Sequence, residues 1–124
     1  MANKTKTEIG REGEEAAVYY LKTKGYTIIQ TNWHWHHYEL DIIAMHGENL
    51  VIIEVKTRAA NYLVSPEEAI DKKKIRRIVQ AADAYVRRYN IDKPVRFDII
   101  TLIQKADGGY VIDHIDDAFF APLR

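Results

Sequence analysis

Two short apolar segments of the sequence each contain a carboxylate. Asp41 lies within residues 38–44, and Glu54 lies within residues 50–57, in both cases next to aliphatic side chains. Lys56 follows Glu54 at a spacing of two residues. Carboxylates are costly to bury unless they are paired or coordinate a metal ion. These three residues are therefore the first candidates for chemistry.

The spacing of these residues predicts that they lie close together. Period-two alternation typical of strands puts Glu39, Asp41 and Ile43 on one face of the first segment, and Ile52, Glu54 and Lys56 on one face of the second. Residues 46–49 contain Gly47 and resemble a hairpin connection. A short hairpin makes the two strands antiparallel neighbours, so that the two carboxylates can approach each other.

Two carboxylates a few ångströms apart repel each other, and a divalent cation relieves that repulsion. Mg²⁺ and Mn²⁺ both favour oxygen ligands. Lys56 would orient a water nucleophile or stabilise the charge of a pentavalent phosphate, a combination suited to phosphodiester hydrolysis. The alternative is that all three are strand-end charges, with Glu54 and Lys56 in a surface ion pair worth less than about 1 kcal/mol. Spacing alone leaves both interpretations open.

The elements that must position these residues follow from periodicity and caps. A helix is predicted over residues 7–24, with Thr7 as its N-cap, and a second over residues 65–89, with Ser65 as its N-cap. Strands are predicted over residues 26–31, 38–44, 50–57, 95–103 and 109–115. This order predicts an α/β domain with one mixed sheet flanked by helices. The length of 124 residues fits a single domain, whose first six residues we expect to be frayed.

Composition restricts the class of protein. The chain has no cysteine, which excludes disulfides and thiolate chemistry, and it has no apolar run near the roughly 20 residues of a membrane helix. We therefore expect a cytoplasmic protein without a membrane partner. The net charge is zero, but residues 8–54 carry eight acidic and three basic residues (−5), whereas residues 71–93 carry eight basic and three acidic ones (+5). Such a division is compatible with nucleic-acid binding or with two solvated helix faces.

Residues 33–37, Trp-His-Trp-His-His, have the most unusual local composition. His34 and His36 share a face and can contribute to a zinc site, but the sequence suggests no third ligand. An exposed hairpin with aromatic packing is the favoured interpretation. A third hypothesis is that Trp33 and Trp35 stack on unpaired bases.

Longer motifs resemble the PD-(D/E)xK nuclease superfamily, which includes restriction endonucleases and Holliday-junction resolvases, and most of all its small bacterial YraN-like family. The resemblance covers about residues 8–103 and rests on Gly10-Arg11-Glu12-Gly13-Glu14, Glu39-Leu40-Asp41-Ile42-Ile43-Ala44, Ile53-Glu54-Val55-Lys56-Thr57-Arg58 and Arg96-Phe97-Asp98. It implies a restriction-endonuclease-like αβββαβ core. The chain departs from the family pattern at Tyr38, where glycine is usual, and at Leu63-Val64, where Phe-Gly is usual.

The resemblance also implies roles for individual residues. Asp41 and Glu54 would bind Mg²⁺ or Mn²⁺, Lys56 would be the catalytic lysine, and Glu14 would reach the metal from the first helix. Glu39 would support these groups from outside the metal or pair with a helix arginine. The expected phosphate contacts are Arg58, Lys74 and Arg77.

The function implied is that of a metal-dependent nuclease acting on DNA, in particular on branched or otherwise structured DNA. Analogy with resolvases also suggests a homodimer. The alternative is a non-catalytic nucleic-acid-binding or interaction module that keeps the same fold.

Overall fold

A computed structural model describes residues 5–58 and 71–119, which form two helices and five strands. In chain order these are α1 (Lys6–Thr23), β1 (Thr27–Trp35), β2 (Tyr38–His46), β3 (Asn49–Arg58), α2 (Lys72–Arg88), β4 (Val95–Gln104) and β5 (Tyr110–Ile115). The predicted αβββαβ order is confirmed, and β5 extends it.

The five strands form one mixed sheet in the order β1-β2-β3-β4-β5. Neighbouring strands are antiparallel except β3 and β4, which run parallel with Glu54 opposite Ile99. A parallel pair needs a crossover, and α2 lies in the connection between these two strands. The hairpin of β2 and β3 pairs Ile42 with Ile53, which sets Asp41 and Glu54 just beyond the last registered pair.

Each face of the sheet is covered by one helix, as predicted. Helix α2 packs Ile78, Ala81, Ala82 and Tyr85 against strand residues that include Leu40, Ile43 and Ile52. Helix α1 packs Ala17 and Leu21 on the opposite face, against residues that include Ile42, Val51 and Ile53. The core therefore has two layers, and side chains from β2 and β3 enter both.

Both helices begin at residues other than those predicted. Helix α1 is capped by Thr5, whose Oγ1 accepts a hydrogen bond from the Glu8 amide, so Thr7 is not its N-cap. Helix α2 begins after Asp71, which has extended backbone and accepts the amide of Lys74. The predicted start at Ser65 lies outside the described residues. Asp71 interrupts any helix that would run without a break from there to residue 89.

Strand β1 is longer than predicted, because residues 32–35 continue the strand and the turn consists of His36 and His37. His36 adopts a positive φ of 55°, which reverses the chain. Asn32 also has a positive φ, of 53°, inside the strand. Asparagine tolerates this conformation better than most residues. The Asn32 side chain turns towards α1, where it contacts Glu14.

Candidate metal centre

The alternation of strand β2 breaks at Asp41. Leu40 belongs to the core under α2, whereas Ile42, two residues later, belongs to the core under α1. The prediction that Glu39, Asp41 and Ile43 share a face is therefore wrong for Ile43, which packs under α2. At the break, Asp41 Oδ2 accepts a hydrogen bond of 2.9 Å from the Val55 amide. This bond ties the carboxylate to β3, between Glu54 and Lys56.

Glu14 reaches this point because α1 approaches the end of β3 closely. Gly13 is buried, and a Cβ atom at this position would overlap Thr57 Oγ1. The absence of a side chain on Gly13 therefore lets the helix lie against β3. Glu14, the next residue, extends from the helix towards β2. Burial raises the pKa of its carboxyl, and the charges of Asp41 and Glu39 act in the same direction.

Three carboxylates converge at the break in β2. Single oxygen atoms of Glu14, Glu39 and Asp41 all lie within 4.8 Å of one another. Asn32 Nδ2 bridges two of them, donating to Glu14 Oε1 at 2.8 Å and to Glu39 Oε1 at 2.9 Å. His34 Nε2 lies 2.8 Å from the other oxygen of Glu39. The structure thus pairs Glu39 with β1 and not with a helix arginine, which was one of its two predicted roles, and brings it into the group of possible ligands.

Glu54 lies deeper than the other acidic residues of this centre, with 2% of its surface exposed. Its Oε1 accepts a hydrogen bond of 2.8 Å from the Tyr38 hydroxyl and lies 3.9 Å from Lys74 Nζ. Its Oε2 is buried and has no hydrogen-bond partner among the described residues. Burial, followed by the charge of Asp41, raises the pKa of Glu54 to about 8. The Glu54 carboxylate thus has too few partners to stabilise its charged form, and a bound cation would stabilise that form.

Two lysines lie next to these carboxylates. Burial, and then the neighbouring ammonium group of Lys74, lower the pKa of Lys56 to about 8. Glu54 and Asp41 oppose that shift electrostatically, so Lys56 lies within range of both. Lys74, predicted only as a phosphate contact, also reaches into the centre. Burial raises the pKa of Asp41, against the hydrogen bond from Val55 and the charge of Lys56.

The other two predicted phosphate contacts lie farther out. Arg58 is the last residue of β3 and is half-buried, with its guanidinium 3.3 Å from its neighbour's carbonyl oxygen. Arg77 is exposed on α2 and lines a depression together with Tyr38, Lys73 and Lys74. The structure therefore brings Glu14, Glu39 and Asp41 together, and it places Glu54, Lys56 and Lys74 near Asp41. It leaves Arg58 and Arg77 near the rim.

Three contributors to the centre had no assigned role in the sequence analysis: Tyr38, Asn32 and His34. The signal for Tyr38 was its departure from the family pattern, since a tyrosine in place of glycine supplies a hydroxyl. The signal for Asn32 was weaker, namely an asparagine inside a β-branched run, where the backbone can adopt positive φ. His34 was considered only as a zinc ligand.

The structure distinguishes between the hypotheses about residues 33–37. Trp33 is buried, with 7% exposed, and its ring meets the Tyr85 ring edge-on at 5.1 Å. The hypothesis that Trp33 stacks on bases is therefore wrong. Trp35 is only partly buried. Within residues 5–58 and 71–119, no histidine joins a group of three ligand atoms spaced closely enough for zinc.

Comparison with known proteins places the chain in a family. The model of "Uncharacterised protein family UPF0102" matches residues 13–102, which include all eight predicted site residues. The chain belongs to UPF0102. The resemblance to the YraN-like family, made from the sequence, is thereby confirmed at the level of the family.

Relatives in UPF0102 match along most of their length. A UPF0102 protein of Parabacteroides distasonis is 63% identical over 117 residues, covering 94% of this chain and 96% of the relative. One from Bacteroides thetaiotaomicron is 53% identical, covering 94% and 95%. One from Porphyromonas gingivalis is 48% identical, covering 89% and 82%. In the described part of the chain, neither helix has the length and apolarity needed to cross a membrane.

Proposed function

We propose that this UPF0102 protein is a metal-dependent nuclease that hydrolyses phosphodiester bonds of DNA. The observation that carries the proposal is the convergence of Glu14, Glu39 and Asp41 within 4.8 Å, at the place where Glu54 and Lys56 follow the last registered pair of β2 and β3. Structural carboxylates are normally paired with basic groups or hydrogen-bond donors. Here four carboxylates lie beside two lysines, Lys56 and Lys74.

The donor set fits Mg²⁺ or Mn²⁺. All the groups are carboxylate oxygens, which hard divalent cations prefer, and the chain has no cysteine. The buried Glu54 Oε2 lacks a partner, and the pKa values of Glu14, Asp41 and Glu54 are all raised. Asp41, Glu54 and Glu14 would hold the ion, with Glu39 as a further ligand. When bound, the ion neutralises phosphate charge and lowers the pKa of a coordinated water.

Lys56 is suited to handle the proton of the attacking water. With a pKa of about 8, its amine is neutral in a useful fraction of molecules near neutral pH and can accept a proton. Lys74 stays close enough to keep that pKa low. Asp41 is held by the Val55 amide, so the carboxylate and the lysine are anchored on adjacent positions of β3.

The basic end of α2 would receive the DNA backbone. Lys74 touches Glu54, and Lys73 and Arg77 extend the positive charge outward along the depression that Tyr38 also lines. Arg58 supplies a further positive charge at the end of β3. A strip of positive charge beside an acidic centre lets phosphates approach carboxylates that would otherwise repel them.

The test is a cleavage panel with Mg²⁺ or Mn²⁺ on single-stranded, duplex, flap and four-way-junction DNA. We expect Lys56→Ala to lower the cleavage rate by about 10²–10⁴-fold, because it removes the proton acceptor. Metal binding measured by calorimetry should persist in this variant. Lys93→Ala is the matched control, since Lys93 pairs with Glu48 outside the centre. Cleavage that survives Lys56→Ala, or excess chelator, contradicts the proposal.

One observation favours a non-catalytic nucleic-acid-binding module instead. Both oxygens of Glu39 already have partners in Asn32 and His34, so the chain itself offsets part of the acidic charge. This second function predicts salt-sensitive DNA binding without any metal-dependent turnover. The same cleavage panel, run beside a binding titration, distinguishes the two functions.

A further inference from the structure

Two adjoining depressions lead from the tip of the β1–β2 hairpin to the acidic centre. The outer one is lined by Trp35, His36, His37, Tyr38 and Arg77. The inner one is lined by Tyr38, Asp71, Lys73, Lys74 and Arg77. Because they share Tyr38 and Arg77, they form one path, which we call the hairpin groove. Its inner end reaches the centre, since Lys74 Nζ lies 3.9 Å from Glu54 Oε1.

The outer wall of the hairpin groove is a supported aromatic surface. Trp35 is partly buried against the core under α2, and its ring meets the His36 ring at 4.6 Å. Two residues earlier, Trp33 anchors the same strand by packing between Tyr85 and Tyr89. A tryptophan supported in this way loses little side-chain entropy when a flat partner stacks on it.

The inner wall of the hairpin groove is strongly basic. Five of the six residues from 72 to 77 are lysine or arginine, and Lys73, Lys74 and Arg77 line the inner depression. Asp71 is the one acidic lining residue, and its Oδ1 already accepts the Lys74 amide as a helix cap. The groove thus offers aromatic surface at one end and positive charge along the rest.

We propose that the hairpin groove binds an unpaired DNA segment, with a nucleobase stacked at Trp35 and its phosphates along Lys73 and Arg77. This inference rests on the proposed nuclease function and narrows its substrate class to DNA with a single-stranded or displaced strand beside the cleavage site. Proteins that hold single strands combine a positively charged groove with aromatic side chains on which bases stack. A paired base hides its face within the duplex stack and cannot occupy this wall.

The test measures binding without cleavage, in chelator, with a fluorescein-labelled oligothymidylate as probe. We expect Trp35→Ala to weaken binding about tenfold and Trp35→Phe to retain most of the affinity, because phenylalanine still stacks. Stacking should also quench tryptophan emission. That quenching should disappear in Trp35→Phe, since Trp33 is enclosed in the core.

Arg77→Ala provides a variant that cannot fail by misfolding, because Arg77 is exposed. It should lower the slope of log affinity against log salt by about 0.7, the effect of losing one single-strand phosphate contact. Arg87→Ala removes the same charge ten residues along α2, where Arg87 pairs with Asp83, and should leave the slope unchanged. A fully paired hairpin should compete poorly and show no dependence on Trp35.

The outcomes distinguish this inference from the proposed activity. If Trp35→Ala and Arg77→Ala both bind the probe as the natural sequence does, the groove proposal is overturned, even if Lys56-dependent cleavage is found. If the duplex binds as tightly as the probe and with the same dependence on Trp35, the proposal is overturned as well. Selective, Trp35-dependent binding without any cleavage supports the groove and refutes the activity.

Discussion

Two buried carboxylates on neighbouring parallel strands have opposite surroundings. Glu54 on β3 and Asp98 on β4 are both almost fully enclosed, with 2% and 0% exposed. Asp98 pairs in register with Ile53, the residue before Glu54. Glu54 lies on the α2 side, where Tyr38 and Lys74 contact it, whereas Asp98 lies on the α1 side beside Tyr26. Glu54 and Asp98 therefore lie at neighbouring positions of the sheet and are equally buried, but they contact different residues.

Asp98 is surrounded by donors. It accepts hydrogen bonds from the Tyr26 hydroxyl at 2.9 Å, Arg96 Nε at 3.0 Å and the Asp117 amide at 3.1 Å, and it lies 2.8 Å from His114 Nε2. Burial acts to raise its pKa, but the hydrogen bonds from His114, Arg96, Asp117 and Tyr26 outweigh it and lower the pKa to about 2. Glu54 has one such bond and a pKa of about 8.

Under the proposed function, this difference distinguishes Asp98, which stabilises the fold, from Glu54, which would bind the metal ion. A buried charge with all its hydrogen bonds made contributes to a unique structure. A buried charge without them destabilises the folded protein, and binding of a partner relieves that cost. Carboxylates with strongly raised pKa values in a cluster are typical of functional sites. The contrast leads to four predictions, in order of decreasing effect.

The largest effect should come from Asp98→Ala. This change leaves the half-buried guanidinium of Arg96 without its carboxylate and removes the acceptor of Tyr26 and of the Asp117 amide. Breaking a buried, paired charge in this way costs about 3–5 kcal/mol of unfolding free energy. Urea denaturation at pH 7 in chelator measures it.

Glu54→Gln is the matched control for that experiment. It removes an equally buried carboxylate whose side-chain contacts are Tyr38 and Lys74. The unfolding free energy should therefore stay within about 1 kcal/mol of that of the natural sequence, or rise. If Glu54→Gln destabilises the protein as much as Asp98→Ala does, the division into a structural and a ligand-binding carboxylate is wrong.

The sequence was sufficient to predict the acidic pair on β2 and β3. Asp41 and Glu54 interrupt aliphatic runs joined by a short turn, and local alternation with a hairpin brings them together without further information. Local pattern did not predict the break at Asp41, because a break in alternation depends on how both core layers are filled. Of the two roles predicted for Glu39, the pairing with a helix arginine is not found, because Asn32 and His34 contact this carboxylate instead.

The Asp98 centre could not be predicted in the same way. Its partner Tyr26 lies 72 residues away along the chain, and His114 belongs to the last strand. Contacts at such separations depend on the strand order and register of the whole sheet. The sequence showed Asp98 in a run of β-branched residues and in the Arg96-Phe97-Asp98 motif, and neither pattern distinguishes a paired carboxylate from a catalytic one.

The second prediction concerns the close approach of α1 to β3. This approach brings Glu14 towards the acidic centre that contains Glu54. Gly13→Ala should cost about 1–3 kcal/mol of unfolding free energy, because the new Cβ overlaps Thr57 Oγ1 and forces the helix outward. Glu14 moves with the helix, so Mg²⁺ affinity measured by calorimetry should also fall. Thr57→Ala in the same chain should restore part of both losses.

Gly10→Ala is the control for this change. Gly10 lies one turn earlier in α1, and a Cβ there meets nothing within 4 Å. Alanine should therefore stabilise the helix by about 0.5–1 kcal/mol. Equal effects at the two glycines would mean that the close contact with Thr57 does not position the helix.

The third prediction is a stability profile with opposite slopes on its two sides. The pKa of Asp98 is about 2 in the folded protein, below its ordinary value of 3.8, so about 2 kcal/mol of stability is lost as pH falls from about 4 to 2. The pKa of Glu54 is about 8, above its ordinary 4.5, so the folded state holds the proton more tightly. Stability should therefore fall as pH rises from about 4.5 to 8.

Urea denaturation across this range, in chelator, measures both slopes. Glu54→Gln should flatten the decline between pH 4.5 and 8, leaving what Asp41 and Glu14 contribute, and it should keep the loss below pH 4. A decline that persists unchanged in Glu54→Gln would contradict the raised pKa of this carboxyl.

The smallest effect should come from the two tyrosines that donate to these carboxylates. Tyr38→Phe removes the single hydrogen bond of Glu54 and should cost about 1 kcal/mol at pH 7. Because that bond favours the charged form, its loss should move the decline in stability to higher pH. Tyr26→Phe removes a donor from Asp98, yet Arg96, His114 and the Asp117 amide remain, so the loss of stability at low pH should stay near its original position. If both variants shift their profiles equally, the number of remaining donors does not decide the pKa of either carboxylate, and Glu54 cannot be distinguished from Asp98 on that ground.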